Sequence, residues 1–131
     1  MSKQIPAISE AESRVMDVLW RQSPQASEDI ATALHHATGW HENTVRTLLN
    51  RLARKGAVRA QRDGRRYQYS PVLTREQWQA QESSSLLDRV FGGRVAPLLA
   101  HFSRSEALSA KDVSELRALI ERIERKERRH D

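Results

Sequence analysis

Between Glu42 and Lys55 the apolar residues Val45, Leu48, Leu49 and Leu52 recur at i, i+3, i+4 and i+7, and Gly56 follows. That spacing predicts one face of an α-helix, with a glycine to stop it. The same period occurs twice upstream. Ala11, Val15, Val18 and Leu19 form a stripe behind Ser9, whose hydroxyl and Glu12 stand at capping-box spacing, and this helix should fade before Pro24. A second helix is predicted from Ser27, turning Ile30, Ala33 and Leu34 inward and ending before Gly39. After Gly56 the period changes to two: Val58, Ala60, Tyr67 and Tyr69 alternate with polar neighbours around Asp63-Gly64, a pair suited to a tight hairpin turn. Three helices and a hairpin, closed by Pro71, read as a winged helix-turn-helix.

Helical periodicity then resumes. Thr74 and Gln77 repeat the capping-box spacing ahead of a helix over 75–91, which Gly92-Gly93 interrupts. A short helix from Arg94 to Phe102 carries Val95, Leu98, Leu99 and Phe102 on one face. A last one behind Ser109 repeats Val113, Leu116, Ile120 and Ile123 nearly as a heptad, before a mixed-charge tail expected to fray. The fold class is mostly α, with a winged-helix DNA-binding domain over 1–73 and a helical dimerisation domain over 74–131. The apolar faces of the second part exceed what a winged unit of about 70 residues can cover, and so small a unit gains from self-association. Packing back onto the winged unit is the competing account; exchange or intertwining of helices in a homodimer is favoured, with Val95, Leu98, Leu99, Phe102, Val113, Leu116, Ile120 and Ile123 as its interface.

Charge sharpens the picture. From His41 to Tyr67 there are eight basic residues against two acidic ones, whereas Val72 to Asp131 holds eleven against ten. The net charge of +5 is thus concentrated in the third helix and the hairpin, as a polyanion-binding surface requires. The polar face of the third helix presents Asn43, Thr44, Arg46, Thr47, Asn50, Arg51 and Arg54. A helix fits the major groove, where short polar side chains reach base edges and arginines reach phosphates. Asn43, Thr44 and Thr47 are the base-contact candidates; Arg46, Arg51 and Arg54 are the phosphate candidates, Arg46 being able to do either. Arg62, Arg65 and Arg66 on the hairpin suit a flanking backbone or minor-groove contact. An ordinary solvated helix face would also be polar, but it would not be followed by a basic hairpin and so nearly lack acids. A non-specific architectural DNA-binding protein is the alternative to a sequence-specific repressor.

Other classes find little support. The chain has no cysteine, so it has neither disulfide nor thiol chemistry, which suits a cytoplasmic protein. Five histidines show no ligand spacing, no G-x-S-x-G or glycine-framed carboxylate pair indicates an enzyme, and neither metal nor cofactor is implied. No apolar run is long enough to insert into a membrane, and the first residues lack a secretory signal.

The blocks ISEAESRVMDVLW, TVRTLLNRLARKGAV and YQYSPV, with the later SLLDRVFGG, LLAHF and LSAKDVSELRALI, resemble those of the BlaI/MecI/CopY repressors from about Ile8 to Ile123. The resemblance implies a dimer on inverted-repeat operators ahead of β-lactamase or related resistance genes. It also implies a membrane sensor with a metalloprotease domain as a pathway partner. Absence of the paired C-terminal cysteines of the copper-responsive branch argues against copper sensing. In the β-lactam branch the repressor is cut at an Asn-Phe bond; His101–Phe102 aligns with it, matching at Phe102 and departing at His101. Ser13 departs from the family's usual tryptophan.

Overall fold

The computed structural model describes residues 5–130. Its elements are α1 (Glu10–Arg21), β1 (Gln25–Ala26), α2 (Ser27–Thr38), α3 (Glu42–Lys55), β2 (Val58–Asp63), β3 (Arg66–Pro71), α4 (Arg75–Phe91), α5 (Val95–Arg104) and α6 (Ala110–His130). Two compact units divide between Ser83 and Ser84, inside α4 and beyond the boundary expected after Leu73.

The first unit holds the core. Val15, Met16 and Leu19 of α1, Ile30 and Leu34 of α2, and Val45, Leu49 and Leu52 of α3 are buried together with Ala57, Val58 and Leu73. Ser9 and Glu12 form the expected reciprocal cap, and Thr74 and Gln77 form the second. The helix α3 stops at Gly56, whose φ of 82° lets its N–H bond the Ala53 carbonyl while the Ala57 N–H reaches Leu52. Trp20 holds the chain leaving the hairpin: its Nε1 donates to the Leu73 carbonyl at 2.9 Å, and its ring lies 5.3 Å from that of Trp78. Those contacts attach the first turns of α4 to this unit.

Several expectations are corrected. Ala31, not Ala33, faces inward, because it flanks Ile30 and Leu34 on the same side of α2. The hairpin turns at Gly64-Arg65 rather than Asp63-Gly64, since Asp63 pairs with Arg66 and Gly64 carries the positive φ of 65°. Only Val58 of the alternating hairpin set is buried. Tyr69 is half-buried, while Ala60 and Tyr67 are exposed because β2 and β3 project beyond the helices. A strand too short to show a period, β1, joins the sheet in the order β1-β3-β2, with Gln25 opposite Tyr69 and Ala26 opposite Gln68. The tail expected to fray continues α6 to His130.

Glu12 is 1% exposed. Its Oε1 accepts from Lys55 Nζ, which also donates to the Ala7 carbonyl at 3.1 Å, so the start of α1 is tied to the end of α3. Burial pushes the Glu12 carboxyl up, but the Lys55 hydrogen bond and charge, together with Ser9, outweigh it and hold the group below its usual range. The resulting stabilisation is present above the ordinary carboxylate range and is lost as pH falls through the lowered folded value. Lys55→Met leaves that buried carboxylate with its Ser9 cap but without a counter-charge, which should cost about 1–3 kcal/mol in urea unfolding at neutral pH. With the lysine gone, only Ser9 opposes the effect of burial, so the group should titrate higher than in the wild type and the deficit should shrink as pH falls through the carboxylate range. A deficit independent of pH would show that the charge pair is not its source.

The second unit, from Ser84, is built differently. No side chain from Thr74 to Arg129 is buried. Ser109 and Asp112 exchange hydrogen bonds at the start of α6, both at 3.0 Å. Those bonds hold the Asp112 carboxyl below its usual range.

Candidate nucleic-acid interface

With Val45, Leu48, Leu49 and Leu52 turned into the core, α3 presents Asn43, Thr44, Arg46, Thr47, Asn50, Arg51 and Arg54 to solvent, and all seven are exposed. The Thr47 hydroxyl donates to the Asn43 carbonyl at 3.0 Å, leaving its methyl and oxygen lone pairs outward. Arg46 is paired with Glu42 at 2.8 Å, one helical turn back, and Glu42 also accepts from the Ser27 hydroxyl at 3.4 Å. The start of α2 is thereby joined to the start of α3.

A cleft of about 400 Å³ opens between α3, the start of α2 and the hairpin. Its lining brings Arg46 and Asn50 of α3 together with Arg65 and Arg66, and adds Glu42 and Tyr67. Asn43, Thr44, Thr47, Arg51, Arg54 and Arg62 lie outside that lining. Arg62 curls over the turn, its Nε donating to the Gly64 carbonyl at 3.1 Å. Arg66 is held by Glu28 at 2.7 Å and Asp29 at 3.4 Å. Among the described residues, Arg65 makes no ion pair.

Sequence reading missed Tyr67, Glu28 and Glu42 as lining residues, and Asp29 as a partner of Arg66. Tyr67 was legible as the neighbour of Arg66, but its 51% exposure follows from the projection of the hairpin. Glu28 and Asp29 read as ordinary first-turn acids of a helix. Only the pairing of β1 with β3 brings them to the hairpin.

In the second unit Val95, Phe102, Val113, Ile120 and Ile123 are 39–58% exposed, with Leu98, Leu99 and Leu116 half-buried. Leu99, Phe102 and Leu116 line an apolar groove of about 350 Å³ together with Leu108 and Leu119. Val95, Leu98, Val113, Ile120 and Ile123 lie outside it. Leu86, Val90 and Leu119 are further exposed apolar residues that the periodicity did not single out. His101 and Phe102 lie within α5. Ser13 is buried, its hydroxyl donating to the Glu10 carbonyl at 2.6 Å. Among the described residues no His, Cys, Asp or Glu side chains gather in a group of three or more fit for a metal ion, and no helix is long and apolar enough to cross a membrane.

A three-helix unit with a β-hairpin wing, a polar third-helix face and a basic cleft beside it is the architecture of winged helix-turn-helix DNA-binding regulators. Comparison with known proteins defines the family more narrowly. The chain belongs to the penicillinase repressor family, whose model matches residues 8–122. It is 31% identical to the penicillinase repressor of Bacillus licheniformis over 119 residues, 91% of this chain and 93% of that one. It is 27% identical to the methicillin resistance regulatory protein MecI of Staphylococcus aureus strain N315 over 120 residues, 92% and 98% of the two chains. Among solved structures it is similar to the monomeric form of Bacillus licheniformis BlaI in complex with the blaP half-operator. That likeness has 34% identity and a TM-score of 0.50, and covers 58% of this chain and 93% of the other.

Proposed function

We propose that this protein is a sequence-specific, homodimeric transcriptional repressor that acts in the cytoplasm on inverted-repeat operators ahead of β-lactamase or related resistance genes. The observation that carries the reading is the exposed polar face of α3 beside the hairpin arginines, in a chain whose DNA-binding relative has been solved on a half-operator. In this reading Asn43, Thr44 and Thr47 read base edges. Arg46 and Asn50 work at the cleft, and Arg51 and Arg54 hold phosphates further along α3. Arg62 and Arg65 reach the flanking backbone from the wing. The homodimer is supported by the unburied apolar faces of α5 and α6.

Release from the operator is assigned to a cut at His101–Phe102, made in a pathway that a membrane sensor metalloprotease starts. Phe102 shares the apolar groove with Leu116 and Leu119 of α6, so a cut before it separates both from the winged unit. The bond lies inside α5, and that helix must open locally for a protease to take it in extended form.

The test of the central reading is competition. DNA upstream of the gene and its neighbours should remain bound under excess unrelated duplex, with a preference of about 10³-fold or more over that competitor at physiological salt. Equal loss of both, following a common salt slope, would identify an architectural binder instead.

A further inference from the structure

The third arginine of the wing has a different setting from the other two. In the β1–β3 ladder Ala26 stands opposite Gln68. Carried on in antiparallel register, the ladder would place Ser27 opposite Tyr67 and Glu28 opposite Arg66. Main-chain pairing ends there because Ser27 begins α2 and its backbone turns helical. Side chains continue the contact: Arg66 Nη2 lies 2.7 Å from Glu28 Oε1 and 3.4 Å from Asp29 Oδ2. On the other side of the hairpin Arg66 pairs through its backbone with Asp63, next to the Gly64-Arg65 turn. One guanidinium thus connects the tip end of the wing to the first turn of α2 and has two carboxylates already competing for its charge.

Resting on the DNA-binding reading, we infer that Arg66 is a positioning residue that fixes the wing through Glu28 and Asp29, and that the phosphate-facing charge of the wing belongs to Arg62 and Arg65. A guanidinium facing two carboxylates carries a local sum of one negative charge, which does not attract phosphate. Arg65, the adjacent residue, has no such partner among the described residues and lines the same cleft. The carboxylates thereby set where the wing's free charge can meet DNA, and operator preference depends on them without their touching a base.

The experiment compares Arg65→Ala, Arg66→Ala, Arg66→Glu and the exchange Glu28→Arg/Arg66→Glu in the full chain. Arg65→Ala should flatten the dependence of log affinity on log salt by about one unit, whereas Arg66→Ala should weaken operator binding with the slope unchanged. In DNA-free protein, Arg66→Ala should speed amide hydrogen exchange across 62–66 by about two- to fivefold, the range open to a surface ion pair. Arg66→Glu should lose operator preference, and the exchange variant, with the pair rebuilt in reverse, should recover most of it and the slow amide exchange. A slope flattened alike by Arg66→Ala and Arg65→Ala would overturn the inference, as would unchanged amide exchange or an exchange variant no better than Arg66→Glu. Wild-type protein showing no preference for operator over competitor would overturn the DNA-binding reading itself, and is measured first so that the two failures are told apart.

Discussion

A chain ending at Gly93 is expected to sediment as a monomer and to bind an inverted-repeat operator about 10²-fold or more weakly than the full chain. In the proposed reading each winged unit contacts one half-site, and only a physical link between two units would turn the second contact into an intramolecular event. The winged unit keeps its core after this truncation, since among the described residues the most C-terminal buried side chain is Leu73. What it loses is α5 and α6, with Val95, Phe102, Val113, Ile120 and Ile123 all substantially exposed in the single chain. Apolar faces of that extent gain about 25 cal/mol for each Å² removed from water, and a second copy of the same faces is a self-complementary means of removing it. Leu116→Asp with Ile120→Asp, in the full chain, should reproduce the effect without truncation. Affinity for an isolated half-site should remain near wild type in both cases, which separates loss of the dimer from loss of the fold. An unchanged sedimentation mass would reject α5 and α6 as the dimer element. The same reasoning covers the cut at His101–Phe102, which should lower operator occupancy by a comparable factor. If the gene is induced by a β-lactam while mass spectrometry finds the chain intact, that route of release is wrong.

Replacing Asn43, Thr44 and Thr47 together by alanine should reduce preference for operator over unrelated DNA by about 10²-fold or more, each base-edge contact being worth about 1–3 kcal/mol of discrimination. Non-specific binding should change little, because Arg51 and Arg54 remain on the same exposed side of α3. All three positions are exposed, and alanine is the strongest helix former, so unfolding free energy should hold or rise slightly. Among the described residues, the one internal side-chain bond removed is that from the Thr47 hydroxyl to the Asn43 carbonyl, which already accepts within the helix. Selectivity equal to wild type, measured by competition at fixed salt, would move base recognition to another surface.

Local rules were enough for much of this architecture. The bounds of α3 follow from four apolar residues at helical spacing and a glycine able to adopt positive φ, and the starts of α1 and α4 follow from side chains three residues apart that cap each other. All of these act within a turn or two of chain, so the residue order displays them directly. The polar face of α3 was legible for the same reason: once four positions are assigned to the core, helix geometry leaves the others outward. The match of the family model over 8–122 accords with the resemblance read from the motif blocks. Tertiary structure alone decided the rest. Lys55 meets Glu12 across 43 positions of sequence, and Arg66 meets Asp29 across 37, distances at which no periodicity carries information. A strand of two residues cannot show an alternation, yet β1 brings the acids of α2 to the wing. Ala31 and Ala33 are chemically identical, and only the direction from which α1 and α3 pack on α2 selects the first. Likewise Ala60 and Tyr67 keep the alternation of a half-buried ribbon but remain in solvent, because whether an apolar face is covered depends on what stands opposite it in space.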